Sequence, residues 1–177
     1  DPKAGPELIR IAGTFPNWRQ GFLTALIDSK NHAPVIEALL VQNAPPAYVT
    51  AHQDDRSRYL QRLWKAGQRE ASFALWRRFD PKAAKSVLFD GNFEGRTSLK
   101  PFGWTLLADP YSYAEIASSG EPGEGILHMR HDGSARSVLA QQIVALTPGG
   151  WTVSLDVRSG AESPEVTMAL ELVCADS

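Results

Sequence analysis

The sequence lacks most of the features that would assign a function directly. Its 177 residues contain one cysteine, Cys174, so neither an internal disulfide nor a CxxC metal clip can form. No apolar run approaches the roughly 18 to 20 residues that cross a bilayer, which argues against membrane insertion. The net charge is −2, from 18 Lys and Arg against 20 Asp and Glu, so there is no broad basic surface for a phosphate backbone. Nucleic acid is therefore not an expected partner.

Catalytic signatures are also missing. The sequence contains no GxSxG, no HExxH and no GxxxxGK[S/T], and the glycine-rich run 120–125 has no helix after it. The one histidine-rich cluster, HMRHD, places His128 and His131 three residues apart on a predicted strand, hence on opposite faces, where they would not share an ion. We therefore expect a non-catalytic protein that requires no cofactor.

The first 82 residues have the three-to-four-residue apolar spacing of helices. Residues 22–40 align with residues 59–77 at a constant offset of 37, which makes the region an internal repeat of two helical hairpins. The matched pairs are Phe22 and Tyr59, Leu23 and Leu60, Leu26 and Leu63, Ile27 and Trp64, Ala38 and Leu75, and Leu39 and Trp76. We predict that the two hairpins stack to bury their apolar faces together.

The second hairpin resembles a tetratricopeptide repeat over about 35 residues. The matching residues are Tyr59, Leu60, Leu63, Gly67, Ala71, Leu75, Asp80 and Pro81. The glycine-to-alanine spacing is one residue short, and the first hairpin lacks the glycine. The resemblance implies a groove that binds a protein partner. Two hairpins are fewer than the roughly three repeats that make a useful concave surface, so a helical cap or spacer is the competing interpretation.

Two further features of this half have ordinary interpretations. His32 and His52 have no metal-ligand spacing and are treated as plain polar positions. A basic stretch is interpreted as a solvated helix face with local ion pairs; it consists of Arg56, Arg58, Arg62, Lys65, Arg69, Arg77 and Arg78.

After residue 82 the apolar residues alternate and turn residues separate short runs. Seven strands are predicted, at 87–93, 102–107, 113–118, 126–131, 138–146, 151–157 and 166–174. This pattern is typical of an antiparallel β-sandwich. We therefore predict a multi-domain α plus β protein with helical hairpins at 1–82, a sandwich at 83–177, and a separate core in each domain.

The strand half resembles the jelly-roll carbohydrate-binding modules of the family 4/9/22 kind. The resemblance rests on an ordered set of motifs: DGNFEG at 90–95, PFGW at 101–104, GILHMR at 125–130, QxVxLxPGGW at 142–151 and VSLDVRSG at 153–160. It implies polysaccharide or glycan as the ligand, a bacterial envelope setting with a periplasmic or secreted location, and a structural calcium ion with Glu94 among its ligands. The family usually has further strands ending in an acidic one, so we expect either a truncated sandwich or one lacking an edge, and the missing acidic strand bears on the calcium site.

Sugar binding requires flat apolar surface and planar hydrogen-bonding side chains. The candidate ligand-binding residues are the aromatics near the first turns and the polar side chains on the non-core parity of their strands: Trp104, Tyr111, Tyr113, His128, Arg130, Asp156 and Arg158. Packing competes with binding at Trp104, because large aromatics on sandwich strands usually pack.

The sequence thus favours non-catalytic polysaccharide binding by a jelly-roll module attached to a helical repeat region, with a role in envelope or exopolysaccharide handling. One alternative is a protein–protein adaptor or assembly factor that uses the helical hairpins, with the sandwich structural. Another is an accessory domain of a larger enzyme.

Overall fold

The computed structural model of the chain describes residues 4–29, 32–121, 123–132, 136–158 and 169–173. Within these ranges, five α-helices precede a set of short antiparallel strands. The helices are α1 (Ala4–Ala12), α2 (Arg19–Ser29), α3 (Ala33–Val41), α4 (Val49–Lys65) and α5 (Arg69–Phe79). The strands are β1 (Thr105–Leu106), β2 (Ala108–Asp109), β3 (Ser112–Ser118), β4 (Gly125–His131) and β5 (Ala140–Gln141). The predicted order of helices first and strands second is confirmed.

The four helices α2 to α5 form the two predicted hairpins. Helix α2 packs against α3 and α4, and α4 packs against α5. The repeat is visible in the packing, because equivalent positions of the two hairpins are buried alike. Leu23 and Leu60 are both fully buried, and of the next pair Leu39 is fully buried and Trp76 is 3% exposed. None of the described helices is both long and apolar enough to span a membrane.

Each hairpin has a residue with a left-handed backbone near the connection between its two helices. Gly67 ends α4 with φ of 78°, and the next amide, of Gln68, donates to the Leu63 carbonyl at 2.9 Å. A left-handed residue followed by this bond is the usual glycine-dependent helix end. In the first hairpin, His32 takes the left-handed conformation with φ of 65° directly before α3.

Buried polar side chains close the C-terminal end of α3, where the last carbonyls of a helix lack partners of their own. Arg19 donates to the Leu39 carbonyl at 2.9 Å, and Arg56 donates to the Leu40 carbonyl at 2.7 Å. His52 donates from Nε2 to the Gln42 carbonyl at 2.9 Å. The interpretation of the basic stretch as a solvated face was therefore wrong in part, because Arg56 is half-buried and bonded to α3, and His52 is a buried polar residue.

Burial changes the protonation of this cluster. Asp55 is 4% exposed, and loss of solvation raises the pKa of its carboxyl to about 6 although Arg19 and Arg58 oppose the shift. Loss of solvation, assisted by the nearby guanidinium groups of Arg56 and Arg19, lowers the pKa of His52 to about 4. Burial therefore disfavours the charged form of both groups, and the Arg19 guanidinium lies over the Phe15 ring, 4.1 Å from its centroid.

The apolar core does not stop at the end of the helices. Phe89, Leu99 and Phe102 belong to the same cluster of buried residues as the helical positions. The ring of Phe102 lies 5.0 Å from that of Trp76 and 5.7 Å from that of Trp64, measured between centroids. The expectation of separate cores is thus wrong for the described residues, because the 89–102 segment shares the helical interior. The boundary at residue 82 stays a prediction.

The strands form two small antiparallel sheets. One has the order β2-β3-β4 and the other pairs β1 with β5. The side-chain amide of Gln142 extends the second sheet toward residue 89, donating to the Phe89 carbonyl at 2.9 Å and accepting from the Phe89 amide at 3.0 Å. In the described residues these sheets do not amount to a sandwich or jelly roll.

Several predicted strands are shorter than expected or absent. Segments 102–107 and 138–146 form only the two-residue strands β1 and β5, and the described residues of 151–157 and 169–173 form no strand. Residues 159–168 and 174–177, including four of the nine residues of the predicted seventh strand, lie outside the described residues. Alternation alone makes a segment suitable for a sheet, whereas a strand also requires a partner for its backbone groups, and none of the described segments pairs with 151–157.

The segment 87–93 forms turns where a strand was predicted, because Asp90 organises it as a loop. Its fully buried carboxylate accepts hydrogen bonds from the amides of Glu94, Gly95 and Arg96 at 3.0, 3.1 and 3.1 Å. Asp90 and Phe93 both have left-handed backbones, with φ of 50° and 52°. A strand cannot contain these conformations.

Candidate functional site

One exposed face of the three-stranded sheet gathers three of the predicted binding residues. Strand β3 pairs with β4 so that Tyr113 lies opposite Arg130 and Glu115 lies opposite His128. Residues directly opposite in an antiparallel pair point to the same face. Tyr113, His128 and Arg130 therefore share a face with Glu115, and we call these four residues the sheet face.

Three of the four side chains of the sheet face are in contact, with His128 between the other two. The ring of Tyr113 meets the His128 ring edge to face, with centroids 5.8 Å apart and planes at 74°. His128 donates from Nδ1 to the Glu115 carboxylate at 3.1 Å, which leaves Nε2 directed elsewhere. The His128 and Glu115 side chains are 48% and 57% exposed, so an external ligand can reach both. Glu115 was missed by the sequence analysis, because only the strand register places it against His128.

Tyr111 lies at the turn that leads into this face. The Asp109 carboxylate accepts from the amides of Tyr111 and Ser112, both at 2.8 Å, and from the Ser112 hydroxyl at 2.7 Å. These bonds, led by the Ser112 hydroxyl, hold the pKa of Asp109 below its ordinary value. They also fix the turn, which leaves the Tyr111 side chain 64% exposed beside the end of β3.

Trp104 has a packing role in the described structure. Its indole donates to the Asp90 carbonyl at 3.2 Å, and its ring lies on that of Phe93 with centroids 5.3 Å apart. It therefore supports the 90–96 loop. Its half-buried position leaves less ring available for a sugar than Tyr111 offers.

Asp156 and Arg158 are exposed and lie in a segment with no strand. No hydrogen bond or ring contact among the described residues joins them to the sheet face. Their assignment to a ligand site stays a prediction that depends on where this segment pairs.

The residues around Glu94 do not fit a calcium ion. Calcium requires about six to eight oxygen ligands, whereas the amides of residues 94–96 point inward at the Asp90 carboxylate. The Glu94 carboxylate itself lies 3.5 Å from the Arg96 guanidinium, which would compete with a cation. The described part of the chain also contains no group of three or more His, Cys, Asp or Glu placed to hold a metal.

The chemistry available on the sheet face is recognition by stacking and hydrogen bonding. A tyrosine ring supplies an apolar surface, and the imidazole, guanidinium and carboxylate supply donors and acceptors on one plane. Comparisons with protein families, with curated proteins and with solved structures found no match to this chain. The interpretation of the site therefore depends on its own residues.

Proposed function

We propose that this chain binds polysaccharide without catalysing a reaction, and that the sheet face is its binding surface. The observation that supports the proposal is the meeting of Tyr113, His128 and Arg130 on one exposed face, ordered by the contact of His128 with Glu115. A sugar ring would lie on Tyr113, with its hydroxyls bonded to the charged and imidazole groups beside it. Tyr111 would extend this surface at the end of the strand.

The proposal includes a jelly-roll sandwich for residues 83–177. It is supported by the presence of two antiparallel sheets. One sheet pairs β1 with β5, and all three strands of the other sheet lie between β1 and β5 in the sequence. The alternating segment 151–157 would add a strand to one of these sheets, covering Val153, Leu155 and Val157, which are more than half exposed in the described structure.

Affinity gel electrophoresis tests the proposal. The chain is run in native gels that contain one neutral polysaccharide each, and retardation is compared between the unmodified chain and the double variant Tyr113→Ala/His128→Ala. We expect at least one polysaccharide to retard the unmodified chain and the double variant to lose about thirtyfold in affinity, because about 1 kcal/mol of stacking and a similar hydrogen-bond contribution disappear.

A matched control uses the same residue types elsewhere. Tyr48→Ala/His32→Ala changes a tyrosine and a histidine in the helical region, where both are exposed, and should leave retardation unchanged. Equal retardation of all three chains would reject the sheet face as the site. The absence of retardation across the panel would reject neutral polysaccharide as the ligand of the sheet face.

A further inference from the structure

A concave surface that includes none of the sheet-face residues lies between α4, the end of α5 and the segment 97–100. It is an open groove of about 1200 Å³. The segment 97–100 is attached to both helices, because the Lys100 amide donates to the Ser57 hydroxyl at 3.2 Å and the Trp76 indole donates to the Ser98 hydroxyl at 3.3 Å. The groove is therefore built by residues from both halves of the chain.

The groove is positively charged although the chain is not. Two acids line it, Asp54 and Asp80, against five cationic side chains: Arg56, Arg58, Arg62, Lys65 and Lys100. The local charge is thus +3, whereas the whole chain carries −2. A concave surface of one sign attracts a ligand of the opposite sign.

Two of the five cations are held in place and three are exposed. Arg56 and Arg62 bond to backbone carbonyls of the first hairpin, at Leu40 and Ile27 respectively, so their charges are fixed on the wall of the groove. Arg58, Lys65 and Lys100 are exposed, so their cationic groups can reach a bound ligand. The arrangement combines a fixed positive wall with exposed ammonium and guanidinium groups.

The uncharged lining favours a hydrophilic polymer over a peptide. The larger apolar residues of the groove are Leu63 and Leu99, each only 7% exposed, and the half-buried Phe79, whose ring lies 4.8 Å below the Arg56 guanidinium. Peptide partners usually require a pocket for a buried apolar anchor. The lining instead offers the amide and hydroxyl groups of Gln53, Gln61, Gln68, Ser57 and Thr97, which suit the hydroxyls of a sugar.

We propose that this groove binds an anionic polysaccharide, through ion pairs of Arg58, Lys65 and Lys100 with its acid groups and hydrogen bonds of the amide-rich wall with its hydroxyls. The inference rests on the proposed function, which gives polysaccharide as the class of ligand. It adds a second binding site, which requires a negatively charged polysaccharide. Carboxylate and sulfate are both compatible with these cations.

Isothermal titration calorimetry on the full chain tests this in 50 mM NaCl, with four polymers: polygalacturonate, dextran sulfate, neutral dextran and polyglutamate. The double variant Lys65→Gln/Lys100→Gln should bind the preferred anionic polysaccharide about fivefold more weakly. The control Lys82→Gln/Lys85→Gln makes the same change of charge at exposed lysines outside the groove and should stay within twofold. Raising NaCl to 300 mM should weaken binding by the unmodified chain several-fold.

The comparison of the four polymers distinguishes the possible outcomes. Tighter binding of polygalacturonate identifies a carboxylate ligand, and tighter binding of dextran sulfate identifies a sulfate ligand; either supports the proposal when the groove variant alone is weakened. Equal loss in both lysine variants, binding of polyglutamate at least as tight as that of the polysaccharides, or no binding of either anionic polysaccharide would overturn it.

The two sites can fail separately. Tyr113→Ala/His128→Ala should keep its affinity for the anionic polysaccharide, because neither residue lines the groove. Groove binding without retardation by any neutral polysaccharide would reject the sheet face and leave the groove. Retardation that depends on the sheet face, together with no binding of an anionic polysaccharide, would reject the groove and support the sheet face.

Discussion

Replacing Phe102 by alanine tests whether the two halves of the chain share one interior. The side chain is fully buried and its ring contacts those of Trp64, Phe73 and Trp76, at centroid distances of 5.7, 5.5 and 5.0 Å. Truncating a buried phenylalanine removes its transfer free energy and leaves a cavity, at a typical cost of about 3 to 5 kcal/mol. Three ring contacts on one residue place the expected loss in the upper part of this range.

The assay is urea denaturation followed by far-ultraviolet circular dichroism for the helices and by near-ultraviolet signal for the tryptophans. Because Phe102 follows the helical region in sequence but packs inside it, we expect the helical transition to move to lower urea together with the tryptophan transition. Phe102→Leu, which keeps most of the volume, should cost about 1 to 2 kcal/mol.

Tyr111→Ala serves as the control, because it truncates an aromatic side chain that is 64% exposed and should change stability by no more than about 0.5 kcal/mol. A loss below about 1 kcal/mol for Phe102→Ala would refute the shared interior. So would a helical transition that stays in place while only the tryptophan signal moves.

Three further predictions concern buried ionisable groups: Asp55, His52 and Asp90. The pKa of Asp55 in the folded chain, about 6, lies above its ordinary 3.8, so the contribution of Asp55 to folding stability falls as pH rises from about 4 to 6. The pKa of His52 in the folded chain, about 4, lies below its ordinary 6.5, so the contribution of His52 rises over the same range. Relative to the unmodified chain, Asp55→Asn should therefore gain urea resistance as pH rises from 4.5 to 6.5 and His52→Gln should lose it; parallel profiles for all three chains would contradict both pKa shifts. Asp90→Ala, which removes the acceptor for three backbone amides, should cost about 2 to 3 kcal/mol in urea denaturation, and Asp90→Asn should cost less because one oxygen remains. Equal losses for the two Asp90 variants would show that the bonds to its carboxylate do not hold the loop.

The helical half could be predicted from sequence because its signals are local. Apolar spacing and the offset of 37 located both hairpins, and the matched positions Leu23 and Leu60 are buried alike. The polar cluster at the end of α3 could not be predicted in the same way. Arg19 and His52 have an ordinary polar appearance, and their partners are backbone carbonyls that only the tertiary fold brings near.

The strand half was harder because pairing partners are distant in sequence. Strands β3 and β4 are adjacent along the chain, and both were predicted to within one residue. The segment 87–93 has strand-like residues, but the buried carboxylate of Asp90 turns it into a loop. Segment 151–157 has the alternation of a strand, but its own sequence does not determine which other segment it pairs with.

The candidate site was predictable to the extent that it depends on alternation. His128 and Arg130 lie on the parity expected to face away from a core, and both are exposed. Glu115 required the register between β3 and β4. The positive groove required the fold as well, since Lys65 and Lys100 are 35 residues apart and meet only when the 97–100 segment packs on α4.

The most direct test of the central claim, that the sheet face binds polysaccharide, is nuclear magnetic resonance of the histidine rings during titration with an oligosaccharide of the polymer that retards the chain. The four histidines lie in four different places: His128 on the sheet face, His131 on the opposite face of β4, His52 buried beside α3 and His32 directly before α3. Binding at the sheet face predicts a saturable shift of the His128 resonance, assigned by His128→Gln, with His32 and His52 unmoved. Saturable heat of binding with an unmoved His128 resonance would contradict the claim.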